Sequence, residues 1–351
     1  MSNIAEIDKN FKVPACIKRD GVEFYNIDDA PFKIYGIYRD GEKYRRLPEA
    51  VAKATSDGVH KLHADTAGGR VRFKTDSKNV YIIAKMDRVG KMPHFALTGS
   101  AGFDLYVKTE SGEYNYIKTF TPPFNISDGY ESAIDLGDNS VKDITVNFPL
   151  YSTITELLIG IDEGTQLLEG DEYTNKNKLV YYGSSITQGG CASRPGTCYQ
   201  GHVSRHFDCD YINLGFSGNA RAEQAMIDYI SSLDMDVFIY DYDYNAPNVE
   251  HLIATHEKMF KQIRASHPEI PIIMMTAPCY LPTEKLKARS KVIEQTYKNA
   301  LEGGDKNVYF IDGPTLMRYA QNEGTVDNCH PTDLGFASMA KAVSSVLEKI
   351  I

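Results

Sequence analysis

Apolar and polar positions change rhythm half-way along the chain. From about Phe24 to Ile161 the apolar residues come in short runs, and Val71 and Phe73 alternate with Arg70, Arg72 and Lys74. Further runs are Val80–Ala84, Phe103–Val107, Tyr114–Phe120, Ile144–Phe148 and Leu157–Ile161. β-Branched and aromatic residues dominate them, and Gly, Asp, Ser or Pro separate them, which is the pattern of strands and turns. Thr109-Glu110-Ser111-Gly112 between two runs predicts a hairpin turn. Many short strands with little helix predict an all-β sandwich or jelly roll over residues 1–170. The stretch Lys53–Asp65 fits either a loop or a short helix.

The polar stretch Glu169–Lys178 reads as a linker, and beyond it strands alternate with helices. Strands are expected at Leu179–Tyr182, Tyr211–Leu214, Val237–Tyr240, Ile272–Thr276 and Val308–Ile311. Helices are expected at Val249–Ala265, Thr283–Leu301 and Leu334–Ile350. This alternation predicts a three-layer α/β domain over residues 178–351, a parallel sheet of flavodoxin-like order covered on both faces. Ligands of such sheets bind beyond the carboxyl ends of the strands, so chemistry is sought in the loops there.

Two of those loops carry it. Tyr182-Gly183-Ser184-Ser185 follows the first strand directly. A serine on a strand-to-helix turn has a raised hydroxyl and a free N–H at a helix start, both suited to a nucleophile. The bland alternative is an N-cap serine. Asp327-Asn328-Cys329-His330 stands just before the last helix. A hydroxyl needs a base, and the base needs a carboxylate to hold its tautomer. Asp327 and His330 meet if their loop folds back, which leaves Nε2 for Ser185.

The set resembles the SGNH, or GDSL-like, hydrolases. Gly183-Ser184-Ser185 stands where that family has Gly-Asp-Ser, Asn213-Leu214-Gly215 matches its second block, and Asn245 keeps the asparagine of its third. Asp327 and His330 match its Asp-x-x-His block. Gly102-Phe103-Asp104-Leu105-Tyr106 is similar to the Gly-x-Asp-Leu-Tyr signature of a β-rich domain that precedes one branch. Gly189–Gly196 and His330–Gly335 also look typical of it. The resemblance implies a Ser185–His330–Asp327 triad and an oxyanion hole of the Ser185 N–H, the Gly215 N–H and the Asn245 amide. It implies no metal and no cofactor. It also implies a serine esterase working through an acyl-enzyme, with a short acyl group, acetate first, on a carbohydrate as substrate. A lipase or thioesterase of the same fold is the alternative, as is a carbohydrate-binding protein without turnover. Ser184 and Asp243 depart from the family blocks, and an Asp243 near the site would disfavour anionic substrates. Arg194 either holds a substrate hydroxyl or carboxylate or solvates the surface. Asp104 either fixes a turn or meets substrate.

Composition narrows the partners. A net charge of −9 argues against nucleic acid and anionic membranes, and the resemblance implies a small-molecule or oligosaccharide ester as the partner. No apolar stretch approaches a bilayer span, and Met1–Val13 has no leader pattern, which predicts a cytoplasmic protein, or an exported one if a leader was removed. The cysteines Cys16, Cys191, Cys198, Cys209, Cys279 and Cys329 have no zinc-like spacing and read as free thiols. Cys191 and Cys198 are close enough to bridge in an exported protein. The pairs His60/His63 and His202/His206 lack further ligands for a metal.

Overall fold

The structure, a computed structural model, describes residues 20–351. The segment Met1–Val13 and Cys16 lie outside the described residues. The first half forms two antiparallel sheets packed face to face, with a separate two-stranded hairpin of Tyr38–Asp40 and Lys43–Arg45. One has the order Val22–Asn26, Thr153–Asp162, Asn79–Arg88, Gly129–Asp135. The other runs Leu167–Glu169, Arg70–Thr75, Lys142–Asn147, Phe103–Lys108, Tyr114–Phe120, with Lys33–Tyr35 also paired to Arg70–Thr75. Successive side chains of a strand point to opposite faces. Val71, Phe73, Leu105, Ile144 and Val146 therefore meet Val80, Ile82, Leu157 and Ile159 in one apolar core. The hairpin turn is present: the Thr109 N–H donates to the Glu113 carbonyl at 2.7 Å, and Gly112 takes φ 88°.

The polar face of the second sheet is not left to water. Arg70 and Arg72 are buried because that face lies against the second half of the chain. Arg70 pairs with Asp210 and donates to the Tyr211 carbonyl at 3.3 Å. Lys108 and Tyr114 both reach Asp208 at 2.6 Å. Buried charges persist only when paired: Arg70 and Lys108 find their partners in the other half, whereas Arg72 pairs with Asp143 of its own sheet at 3.3 Å.

The second half is a five-stranded parallel sheet. Numbered along the chain, its strands Asn175–Gly183, Cys209–Gly215, Val237–Asp241, Ile272–Met275 and Val308–Ile311 lie in the order 2-1-3-4-5, a flavodoxin-like arrangement. Tyr182, Phe238, Tyr240 and Met274 face a core closed by the helices Gln224–Ser231, Val249–Ser266 and Glu284–Glu302. Leu179, Tyr181, Ile239 and Met275 face the core closed by Tyr199–Phe207 and Asp333–Leu347. The expected linker is shorter than its polarity suggests, since Asn175 already begins the first strand and accompanies Cys209.

Residues 49–62 resolve into two short helices, Glu49–Thr55 and Asp57–Leu62. Although this segment lies between sandwich strands in sequence, Leu47, Ala52 and Val59 pack with Phe216, Met226 and Leu252 in the core on one face of the parallel sheet. Phe95 does the same on the opposite face, edge-on to Tyr151 at 5.2 Å between ring centres. The first half thus supplies core residues to both faces of the second.

Candidate active site

The first strand ends at Gly183, level with Gly215 and Asp241 on its two neighbours. A side chain at 183 would stand 1.8 Å from the Asp241 carboxyl, so only glycine fits. Ser184 caps the following turn, its Oγ accepting the Ile186 N–H at 3.2 Å. Capping falls to Ser184, not Ser185. As the first residue of the helix Ser185–Gln188, Ser185 keeps a hydroxyl free of capping and an N–H that no helical carbonyl reaches. Gly189, with φ 97°, ends the helix after one turn.

The histidine comes from a loop tied off at its base. Thr325 and Pro331 form an isolated β-bridge, and the Val326 N–H donates to the His330 carbonyl at 2.9 Å. Inside this loop one Asp327 oxygen accepts the N–H groups of Cys329 at 3.1 Å and His330 at 2.7 Å. The other oxygen lies 2.7 Å from His330 Nδ1. His330 Nε2 is 2.9 Å from Ser185 Oγ, across 145 positions of sequence. Burial pushes the Asp327 carboxyl up, but the hydrogen bonds from the His330 backbone and ring outweigh it and leave it below its ordinary value.

Several residues that hold this geometry went unnoticed in the sequence. Asp333, on the first turn of the last helix, accepts from the Ser193 N–H at 2.8 Å and Thr197 Oγ1 at 2.7 Å. It ties the loop after the serine to the helix after the histidine. Gln188 accepts the Ser217 N–H at 3.0 Å and donates to buried Asp65 at 3.0 Å. Asp333 lies within the His330–Gly335 motif and Gln188 one turn after the serine, but neither residue type nor spacing marks the partner. Arg46 and His94, treated below, carry no sequence signal.

Several of the expected site residues are engaged within the fold. The Gly215 N–H is engaged by Asn213 Oδ1 at 2.9 Å, and a side chain at 215 would strike the Gln188 nitrogen at 2.1 Å. That amide is spent within the fold. Gly218, in the same loop, has φ 72° and open space beside its α-carbon. Its loop is anchored on one side by Ser217 to Gln188 and on the other by the Ala220 N–H to Asn245 Oδ1 at 3.2 Å. Asp243 is buried and accepts the Ala277 N–H at 2.9 Å; burial pushes its carboxyl up to about 6. It supports a neighbouring loop from a buried position. Arg194 donates to buried Asp104 at 2.9 Å and to Tyr106, and stacks 3.7 Å over Tyr116. Asp104 also accepts from the Gly196 N–H at 2.9 Å and Asn147 at 2.8 Å. The pair is an inter-half clamp that holds Arg194 through Nη1 and buries Asp104.

Of the histidine pairs, His63 is held by Arg45 and the His60 carbonyl, and His206 faces Glu348 at 3.3 Å. Cys191 and Cys198 are free thiols, as are Cys209, Cys279 and Cys329. Among the described residues, no helix is long and apolar enough to cross a membrane.

Residues 176–348 match the GDSL-like lipase/acylhydrolase family, and residues 22–167 match the GxDLY N-terminus of SGNH-hydrolase-type esterases. The chain belongs to the GDSL-like hydrolases. As a member of that family it is a serine hydrolase, an acyl esterase. No curated protein sequence matches it. A protein assigned as a GDSL-like lipase from Bacteroides ovatus superposes on this hydrolase with TM-score 0.84 and 27% identity, covering 94% of this chain and 98% of the other. A salicylyl-acyltransferase from a tetracycline biosynthetic pathway has TM-score 0.74 and 18% identity, covering 95% and 99%. A family two carbohydrate esterase from Clostridium thermocellum, in complex with cellohexaose, has TM-score 0.61 and 12% identity, covering 91% and 98%. The last two likenesses establish the shared fold alone.

Proposed function

We propose that this GDSL-like hydrolase removes short acyl groups, acetate first, from carbohydrate hydroxyls, with Ser185 as nucleophile, His330 as base and Asp327 as its orienting carboxylate. The observation that carries the reading is the continuous chain of contacts, Ser185 Oγ to His330 Nε2 at 2.9 Å and His330 Nδ1 to Asp327 at 2.7 Å. His330 takes the serine proton as Oγ attacks the ester carbonyl, then gives it to the leaving sugar oxygen. Water, deprotonated by the same imidazole, releases the acid from the acyl-enzyme. Asp327 keeps the proton on Nδ1 and stabilises the imidazolium.

The oxyanion hole of this proposal consists of the Ser185 N–H, the Asn245 side-chain amide and the Gly218 N–H in place of Gly215. With Asn245 Oδ1 turned to the Ala220 N–H, its NH₂ end is the one left to donate. Each such donor is worth about 10²–10³ in rate. The carbohydrate reading is supported by the esterase of the same fold whose structure holds cellohexaose.

The test is release of acetate from acetylated oligosaccharides, alongside p-nitrophenyl esters of rising chain length. Hydrolysis of the short esters, lost on the order of 10⁶-fold in Ser185→Ala, is expected. A preference for long acyl chains would make it a lipase or thioesterase, and no turnover of any ester would make it a binding protein.

A further inference from the structure

The first half of the chain reaches the catalytic histidine. Phe95, buried in the core of the second half, anchors a tight turn closed by the bridge between Met92 and Phe95. The Phe95 N–H donates to the Met92 carbonyl at 3.2 Å, and His94 stands exposed at its tip. The rings of His94 and His330 lie 5.7 Å apart, tilted by 48°. A third group joins them from the loop after the serine helix. Cys191 is held there at φ 75°, a left-handed conformation uncommon for any residue but glycine. The two residues that follow it are held in place: Thr98 donates to the Ser193 carbonyl at 2.6 Å, and Gly99 lies so close to the Ala192 carbonyl that a side chain there would come within 2.0 Å.

One donor atom each from His94, Cys191 and His330 lies within 4.8 Å of the others. Two imidazoles and a thiolate form a borderline-soft set, suited to zinc and poorly matched to magnesium or calcium. Bonds of about 2.0–2.3 Å to one ion bring such atoms to roughly 3.5–4 Å apart. The exposed His94 side chain is free to turn and close that difference. Three protein ligands with a fourth position open is the pattern of an accessible zinc site.

We propose that His94, Cys191 and His330 bind Zn²⁺ at the mouth of the catalytic centre, and that the bound ion shuts the enzyme off. On binding, the Cys191 thiol gives its proton to solvent, and one imidazole nitrogen of His94 and Nε2 of His330 donate their lone pairs to the ion. No electrons are transferred. Nε2 is the atom that faces Ser185 Oγ, so a metal there removes the base from the serine. The inhibitory half of this inference rests on the proposed role of His330; the binding half does not.

The experiment uses the full chain, with Co²⁺ as a spectroscopic probe and Zn²⁺ as the inhibitor. Co²⁺ is expected to give a thiolate-to-cobalt band in the wild type, in Ser185→Ala and in Cys329→Ser. The band should vanish in Cys191→Ser, and the affinity should fall at least tenfold in His94→Ala. Zn²⁺ should inhibit p-nitrophenyl acetate hydrolysis reversibly, with chelator restoring the rate, and the inhibition constant should rise at least tenfold in both ligand variants. Absence of the band in the wild type overturns the site, as does inhibition unchanged in His94→Ala, an exposed position whose replacement does not threaten folding. A cobalt band in a chain without esterase activity would uphold the site and overturn the proposed function. Activity without a band does the reverse.

Discussion

Arg46, from the first half of the chain, donates from Nη1 to the carbonyl of Gly215 at 2.6 Å, at the root of the loop that carries Gly218. The same guanidinium reaches the carbonyls of Asn213 at 3.1 Å, Asp65 at 2.7 Å and Leu62 at 2.8 Å, and lies 4.7 Å over the Phe216 ring. Burial lowers its pKa to about 10, so it stays charged at neutral pH. The planar fork satisfies four carbonyls at once, which an ammonium cannot do. Arg46 is a positioning residue for the proposed oxyanion loop. Arg46→Lys is expected to lower kcat by roughly a hundredfold, the scale of a misplaced catalytic group, with little change in KM. Steady-state kinetics on a variant shown to be folded checks this, and an unaltered kcat would refute it.

The clamp between Asp104 and Arg194 has a different signature. Replacing either one by Ala leaves the other buried or half-buried without its charge partner, at a cost of about 3–5 kcal/mol. The double variant should lose far less than the sum, because residues in contact are not additive. Urea denaturation of the three variants measures this directly. Were Arg194 a substrate ligand instead, Arg194→Ala would raise KM and leave the denaturation midpoint in place.

Asp243 gives a pH dependence of stability with a defined sign. Burial pushes its carboxyl up to about 6, whereas in the unfolded chain it titrates near 3.9. Between these values the folded state binds more protons than the unfolded one, so this group's contribution to stability falls as pH rises. The loss is complete above about pH 6 and amounts to on the order of 3 kcal/mol. Asp243→Asn, whose amide oxygen still accepts the Ala277 N–H, removes that slope. The variant should gain on the wild type between pH 4.5 and 7.5 in denaturant midpoint; a difference independent of pH would count against the assignment.

Excising residues 178–351 tests how far the two halves depend on each other. The fragment would expose the surfaces covered by Leu47, Ala52, Val59 and Phe95 and leave Asp208 and Asp210 without their cations. It is expected to be insoluble, or soluble without fixed tertiary packing, as read by gel filtration and near-ultraviolet circular dichroism. A soluble fragment with full esterase activity would show that the sandwich is dispensable.

Much of this protein was determined by local sequence. The switch from short strands to alternating strands and helices announced both architectures, because side-chain period reports secondary structure directly. Ser185 and the Asp327–His330 loop were legible for a related reason: each is a short segment whose own turn geometry aims its functional group. Tertiary structure alone decided the rest. Whether Arg70 and Arg72 face water or a packed interface, and that Arg194 belongs to Asp104, depend on partners tens of positions away. Arg46, Asp65 and His94 reach the site from beyond the linker, and no spacing in one dimension encodes such meetings. They follow from how two packed cores, each satisfying its own apolar faces, bring unrelated loops to the same place.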